Sequence, residues 1–317
     1  MKVRSQKEIY NENRLEATMT RALSITFFVV LLITLAGCTP LPASPTPNIP
    51  QPTVINHPFD LTPTPQVTVL PTQPLISDLA AVIEIDPEEV LNVRQSPGLS
   101  TPILATLAYD TMGIRLTGQQ SEADTIQWVQ VQLADGQTGW VDRQYLTGLK
   151  SSADFCADPQ LPTLLIQFKQ AVATQDGALL SSIVSPWHGL QIQFFNGSTA
   201  VVFPPDQTSQ LFTGTVPILW GVHPGSGLET SGTYMEIVHP TLSSTLESGG
   251  AFECNPTGFD TNYSYRWPAS LQNLNHLSIY QAGPPEMELD WHYWWIGIVY
   301  VNGQPYLHSL MHFAWEP

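Results

Sequence analysis

Eleven of the chain's 28 prolines fall within residues 39–75, and they decide where a fold can form. Proline fixes φ and removes an amide donor, so neither a helix interior nor a central strand survives at that density. The stretch reads as an extended, semi-rigid tether with a reach on the order of 100 Å. A packed core must therefore come from about residue 76 onward, a length that suits two or three units at about 100–200 residues each. The chain is 43% hydrophobic and 12% charged, which is core-forming composition. Residues 1–37 hold five of the 11 basic and three of the 27 acidic residues. The remainder has 6 basic against 24 acidic residues, a net charge of −18. Such a surface repels phosphate backbones, so no nucleic-acid partner is expected.

Residues 22–37, ALSITFFVVLLITLAG, carry no charge and follow Lys2, Arg4, Lys7, Arg14 and Arg21. A basic segment, a short apolar run and small residues at its end form the layout of a secretory signal (residues 1–37). The run is shorter than the ~20 residues of a comfortable spanning helix. Its end, Leu35-Ala36-Gly37-Cys38, resembles the lipobox of bacterial lipoproteins. That resemblance implies a diacylglycerol on Cys38 and cleavage before it, with residues 38–75 as lipidated cysteine and tether. The alternative is an uncleaved N-terminal transmembrane anchor. Both place the remainder outside the cytoplasmic membrane, with the membrane as one partner.

Cys156 and Cys254 remain. An even remainder in an exported chain points to one disulfide, closing a loop of about a hundred residues. The alternatives are two buried thiols or a catalytic cysteine. Neither Phe155-Cys156-Ala157 nor Glu253-Cys254-Asn255 carries a signature for the latter.

Residues 76–150 read as short strands between turn signals. Leu91 to Arg94 alternate and stop at Ser96-Pro97-Gly98; Val129, Val131 and Leu133 share a face; Asp135-Gly136 suits a primed hairpin turn before Gly139-Trp140-Val141. Five or so short strands in this length are expected to curl into a small all-β barrel. The run Leu91-Asn92-Val93-Arg94 with Pro97, Trp128-x-x-Val131, Gly136-x-x-Gly139-Trp140-Val141 and Tyr145-Leu146 resembles the bacterial SH3 (SH3b) domain. Asp110 stands where that family has Gly before Thr111. The resemblance implies a non-catalytic role, docking to peptidoglycan or to an envelope protein. Trp128 and Trp140 are expected in the core, and Tyr109 and Tyr145 are the candidate ligand-binding rings.

Residues 152–317 form the second predicted domain. Leu161, Leu164, Leu165, Phe168 and Val172 follow helical spacing, with Asp176-Gly177 as a stop and a second short helix over 178–184. Strands are expected over 190–195 and 199–203 around Asn196-Gly197, then over 233–238, 275–280, 291–301 and 305–315. The result is an α+β domain, helices packed on a curved antiparallel sheet, similar in element order to the cone-shaped NTF2-like fold. The closing segment also resembles the ends of uncharacterised SH3b lipoproteins, a likeness that implies no activity.

A turn centred on Asn302-Gly303 pairs Val301 with Gln304 and sorts side chains by strict alternation. Trp294, Ile296, Ile298, Tyr300, Leu307, Met311, Phe313 and Trp315 form the expected core face. Tyr293, Trp295, Gly297, Val299, Tyr306, His308, Leu310 and His312 form the other, from which Tyr293, Trp295, His308 and His312 are candidate ligand-binding residues. His308 and His312 lie roughly 13 Å apart along a strand. One zinc ion with bonds of ~2.0–2.1 Å does not hold both, so no metal is expected. Glu286, Glu288 and Asp290 lie beside His292 where the strand begins, a carboxylate–His arrangement. No phosphate loop, nucleophile elbow or H-E-x-x-H run occurs, so no catalytic residues or cofactor are assigned. The leading expectation is a lipid-anchored extracytoplasmic protein whose SH3b domain docks to the wall or a protein, with a ligand-binding or structural C-terminal domain. Its rivals are an envelope hydrolase and a purely structural lipoprotein.

Overall fold

The computed structural model describes residues 79–256 and 267–315, all within one compact unit spanning 69–317. The signal, Cys38 and the tether lie outside the described residues.

Seven strands make the first sheet: β1 (Leu79–Val82), β2 (Val90–Arg94), β3 (Ile103–Ala108), β4 (Met112–Ala123), β5 (Ile126–Gln132), β6 (Thr138–Asp142) and β7 (Leu146–Gly148), in the order β3-β2-β6-β5-β4-β1-β7. Their inward residues, among them Val82, Leu91, Val93, Ile114, Val129, Val131, Val141 and Leu146, form one apolar cluster. Trp128 is buried and its indole N–H donates to the Ala123 carbonyl at 3.1 Å. Trp140 is only half-buried. The β5–β6 turn departs from the expected two-residue form. Gly136 has φ +85° and Asp135 does not enter the left-handed region. Leu133 N–H donates to Gln137 at 2.8 Å, so Ala134-Asp135-Gly136 is a three-residue loop with Gly in the left-handed position. Thr111 N–H donates to the Ala108 carbonyl across Tyr109-Asp110. Asp110 has no positive φ, so this turn does not require glycine.

The rest is sheet-rich with few helices. Helices α1 (Ser152–Cys156), α2 (Leu161–Thr174) and α3 (Gly177–Ile183) come first. Asp176 does double duty, following the left-handed Gln175 that ends α2 and capping α3 through Leu179 N–H at 2.9 Å. Strands β8 (Leu190–Gln193) and β9 (Val201–Phe203) pair about the Asn196-Gly197 centre. A small hairpin, β10 (Ile218–Val222) with β11 (Glu229–Gly232), follows. Residues 233–238, expected as a strand, open a helix instead: Thr233 and Glu236 form a capping box for α4 (Tyr234–Ile237), which leads into α5 (His239–Glu247). Strands β12 (Glu253–Cys254), β13 (Asn275–Gln281), β14 (His292–Val301) and β15 (Gln304–Ala314) complete a six-stranded sheet, order β12-β13-β14-β15-β8-β9. It is not wholly antiparallel, because β15 runs parallel to β8. Cys156 and Cys254 form a disulfide, Cα–Cα 5.8 Å, joining α1 to the sheet edge. In the chain-entropy picture a loop of that length stabilises by about 4–5 kcal/mol.

Asn302 (φ 52°) and Gly303 (φ 77°) make the primed turn, and Val301 pairs with Gln304 as expected. Strict alternation then fails. Ile298 pairs with Leu307 but Gly297 with Ser309, leaving His308 as an extra residue. This bulge moves Leu310 and His312 to the side of Trp294 and Ile296, and Met311 and Phe313 to the side of Tyr293 and Trp295. Both sides are apolar and covered. On one, Trp294, Ile296, Ile298, Leu307 and Leu310 meet Phe155, Leu164, Phe168 and Leu242. On the other, Tyr293, Trp295, Val299, Met311 and Phe313 meet Ile83, Leu271, Leu274 and Trp267.

The two sheets share a polar junction. Glu84, with φ 60°, accepts from His308 Nε2 at 2.8 Å and from the Gln191 amide, while its own N–H donates to Ser270 at 2.7 Å. Asn273 donates to the carbonyls of Val82 and Tyr109, and Tyr300 N–H donates to Thr147 Oγ1 at 3.0 Å. Replacing Glu84 with Ala leaves the buried His308 donor and the half-buried Gln191 donor without that acceptor. A loss of about 1–3 kcal/mol is expected in urea unfolding. A loss below a few tenths would show that the junction is held without Glu84.

Candidate functional site

An open cleft lies at the end of the β14–β15 hairpin away from its turn. Its volume is about 940 Å³, within the size range of small-molecule sites. Five chain segments build it. Phe194 and Phe195 come from the β8–β9 connection, His223 and Thr230 from the β10–β11 hairpin, Glu236, Ile237 and Thr241 from α4 and α5, residues 285–291 from the loop before β14, and Trp315 from the end of β15. Successive turns shape that loop, with Met287 N–H donating to Pro284 and Asp290 N–H to Met287, each at 2.8 Å. They present Glu286, Glu288 and Asp290 as one wall.

At its floor are two imidazoles. His312 is 5% exposed, and its Nδ1 lies 3.0 Å from the Phe194 carbonyl. A carbonyl only accepts, so Nδ1 carries the proton and Nε2 is the acceptor. His292 Nδ1, 3.0 Å away, must then donate to it. That leaves His292 Nε2 facing Asp290 Oδ1 at 3.9 Å. Burial, then the neighbouring His292, pushes His312 down to about 3. Burial also lowers His292, against the pull of Asp290. His312 is thus a neutral acceptor that orients His292 and leaves its Nε2 facing Asp290.

The residues nominated by the sequence do not assemble in this way. Tyr293 and Trp295 are each 2% exposed, sealed by Ile83, Leu271, Leu274 and Trp267. His308 is fully buried at the junction, its ring 5.2 Å from that of His188. His188 is held between Ser185 Oγ at 2.6 Å and the Leu146 carbonyl at 3.2 Å. Burial, then His308, holds its pKa well below the usual range. The bulge separates His308 from His312, and only His312 reaches the cleft. Tyr109 and Tyr145 are half-buried against the core of the first sheet. The Asp290–His292 proximity was legible in sequence. Phe194, Phe195, His223 and Trp315 were not placed there, and the adjacent rings Phe194-Phe195 before Asn196-Gly197 were the available signal. Among the described residues, no three His, Cys, Asp or Glu side chains group as a metal-binding set.

Residues 89–147 match the family model for the bacterial SH3 domain. The chain contains a bacterial SH3 domain. No curated protein matches the chain, and no solved structure does. The SH3 match begins at the edge of β2 and ends in β7, so β1, which lies between β4 and β7, is an extension beyond it.

The buried imidazoles make acid sensitivity a property of this fold. His188, His276, His292 and His312 all have depressed values, His276 at about 4, with burial the first cause in each case. A folded-state value below the unfolded ~6.5 means the unfolded chain binds more protons in the interval. Stability is therefore full above about pH 6.5 and falls as pH drops toward 4. The slope reaches up to about 1.4 kcal/mol per pH unit for each fully neutral imidazole. Urea midpoints measured from pH 7.5 to 4.5 check this, and a flat profile contradicts it.

Proposed function

We propose that the protein is an extracytoplasmic lipoprotein, anchored through Cys38, whose SH3 domain docks it to the cell wall or an envelope protein. In this reading residues 1–37 are a signal, 38–75 a lipidated tether, 76–150 the SH3b barrel and 152–317 an α+β ligand-binding module. The observation that carries the docking half is the SH3 match at 89–147. The address is supported by the apolar run ending in Leu35-Ala36-Gly37-Cys38. An α+β arrangement of helices on a curved, NTF2-like sheet is supported by the apolar cluster that α2 and α5 share with β13–β15. A ligand-binding role for that module is supported by the 940 Å³ cleft. The barrel packs on the rest through Glu84, Asn273 and Thr147. The full chain is therefore the right test object.

Purified wall is expected to retain the full chain across a salt series, and Cys38→Ser is expected to release it from membranes. Loss of wall retention at every salt concentration, with no envelope protein crosslinked in its place, removes docking. Unchanged membrane association of Cys38→Ser removes the lipid and favours the transmembrane anchor.

One observation favours a second reading, an envelope hydrolase: Asp290, His292 and His312 form a line ending at an open cleft. His292 is then a general base acting on water. His292→Gln should abolish turnover of wall glycan or peptide fragments while leaving the urea midpoint at pH 7.5 in place. Absence of turnover by the parent chain ends this reading.

A further inference from the structure

The cleft's lining specifies the charge and shape of what it takes. Four carboxylates face it, from Glu236, Glu286, Glu288 and Asp290, and neither Lys nor Arg lines it. Glu236 is held ionised, chiefly by the Thr233 backbone N–H at 2.8 Å and then by its hydroxyl. Of the other three, among the described residues, only Asp290 has a charged-type neighbour within reach, His292 at 3.9 Å. Of the five described basic side chains, Arg115 lies on β4 of the first sheet and the other four are engaged away from this wall. Arg143 lies over Trp187, Lys150 pairs with Asp158 at 3.0 Å, Lys169 lies over Phe252, and Arg94 donates to the Thr101 carbonyl. An anion entering here meets like charge in a partly enclosed space, where repulsion exceeds its value in bulk water.

The same wall alternates acid with apolar side chains. Met287 and Leu289 are more than half exposed, and Trp315 is 40% exposed at the mouth. Phe194, Phe195 and Trp291 line it within, Phe194 stacked on His312. Exposed apolar side chains gathered at a cleft mark a binding surface, and ring faces attract cations. Exposed apolar side chains beside the carboxylates favour a positive charge carried on a molecule with apolar surface of its own.

We propose that this cleft binds an organic cation, an amine or quaternary ammonium carried on an apolar body. The inference rests on the reading of the cleft as a ligand site and names the class of its ligand. The ammonium sits against Glu288 and Asp290, and the apolar body lies on Trp315 and Phe195.

The test is calorimetric titration of the full chain at pH 7.5 with three probes of one skeleton: 2-phenylethylamine, 2-phenylethanol and 3-phenylpropanoate. The amine is expected to saturate the site and to bind at least about tenfold more tightly than the alcohol, the order of a charge-assisted hydrogen bond. The acid is expected to be weakest, and added salt should weaken the amine. The double variant Glu288→Gln/Asp290→Asn should cost the amine about tenfold and leave the alcohol unchanged. Trp315→Ala should weaken both. Glu253→Gln, outside the cleft, should alter neither, and all variants should keep the parent urea midpoint. Equal or tighter binding of the alcohol or acid, still sensitive to Trp315→Ala, overturns the ammonium assignment while leaving a ligand site. No saturable binding of any probe at ~10 mM, where even a millimolar site fills, overturns both.

Discussion

On a strand pair covered on both sides, a buried polar group is costly unless another element supplies its partner. β14 and β15 are such a pair. Their side chains alternate between a cluster shared with the helices and a cluster shared with Ile83 and the 271–274 segment. The bulge at His308 is where this constraint becomes specific. An extra residue turns an imidazole into the protein interior, and Glu84, two residues after β1, accepts a hydrogen bond from it. A carboxylate and an imidazole 224 positions apart in sequence thereby join the SH3-type sheet to the rest. Asn273 and Thr147 add further side-chain bonds along the same seam.

Once both faces of the hairpin are covered, an open site can form only where the strands run out. The ends at His292 and Ala314 are that place, and they are paired with each other. The bulge puts His312 on the side of Trp294, within reach of Phe194 and His292. Without that extra residue His312 would point to the side of Tyr293 and the imidazole pair would not exist. The chemistry of the cleft is thus coupled to the joint between the two sheets through one irregularity in β15. A buried neutral His312 orients a less buried His292, and an acidic loop folded by two consecutive turns stands beside it.

Much of this was legible beforehand because it depends on neighbours in sequence. Helix α2 follows from the spacing of Leu161, Leu164, Phe168 and Val172, and the closing turn from Asn302-Gly303, whose residues tolerate positive φ. The SH3 domain was readable from Leu91 to Leu146, since its signature positions are short-range strand and turn requirements. The disulfide followed from cysteine parity once Cys38 was set aside. The misreadings have one character. Residues 233–238 look like a strand by composition, but Thr233 and Glu236 satisfy each other's backbone donors and start a helix. Asp135-Gly136 matches a two-residue turn, yet only the glycine takes the left-handed conformation.

The sorting of the last hairpin marks the boundary between the two kinds of information. Period-two alternation is a local rule, so the sequence determined the strands, the turn and the pairing next to it. A bulge has no local signature in His308 itself; its imidazole is held by Glu84, an acceptor from the segment after β1. Which imidazole is buried at the joint, which one reaches the cleft, and which aromatic rings are sealed under Trp267 were therefore decided only in three dimensions. Sequence alone set the acidity of 286–290 and the ring content of 194–195 and 315. Tertiary structure brought those segments to one opening, because the ends of a doubly covered hairpin are where its surroundings stop.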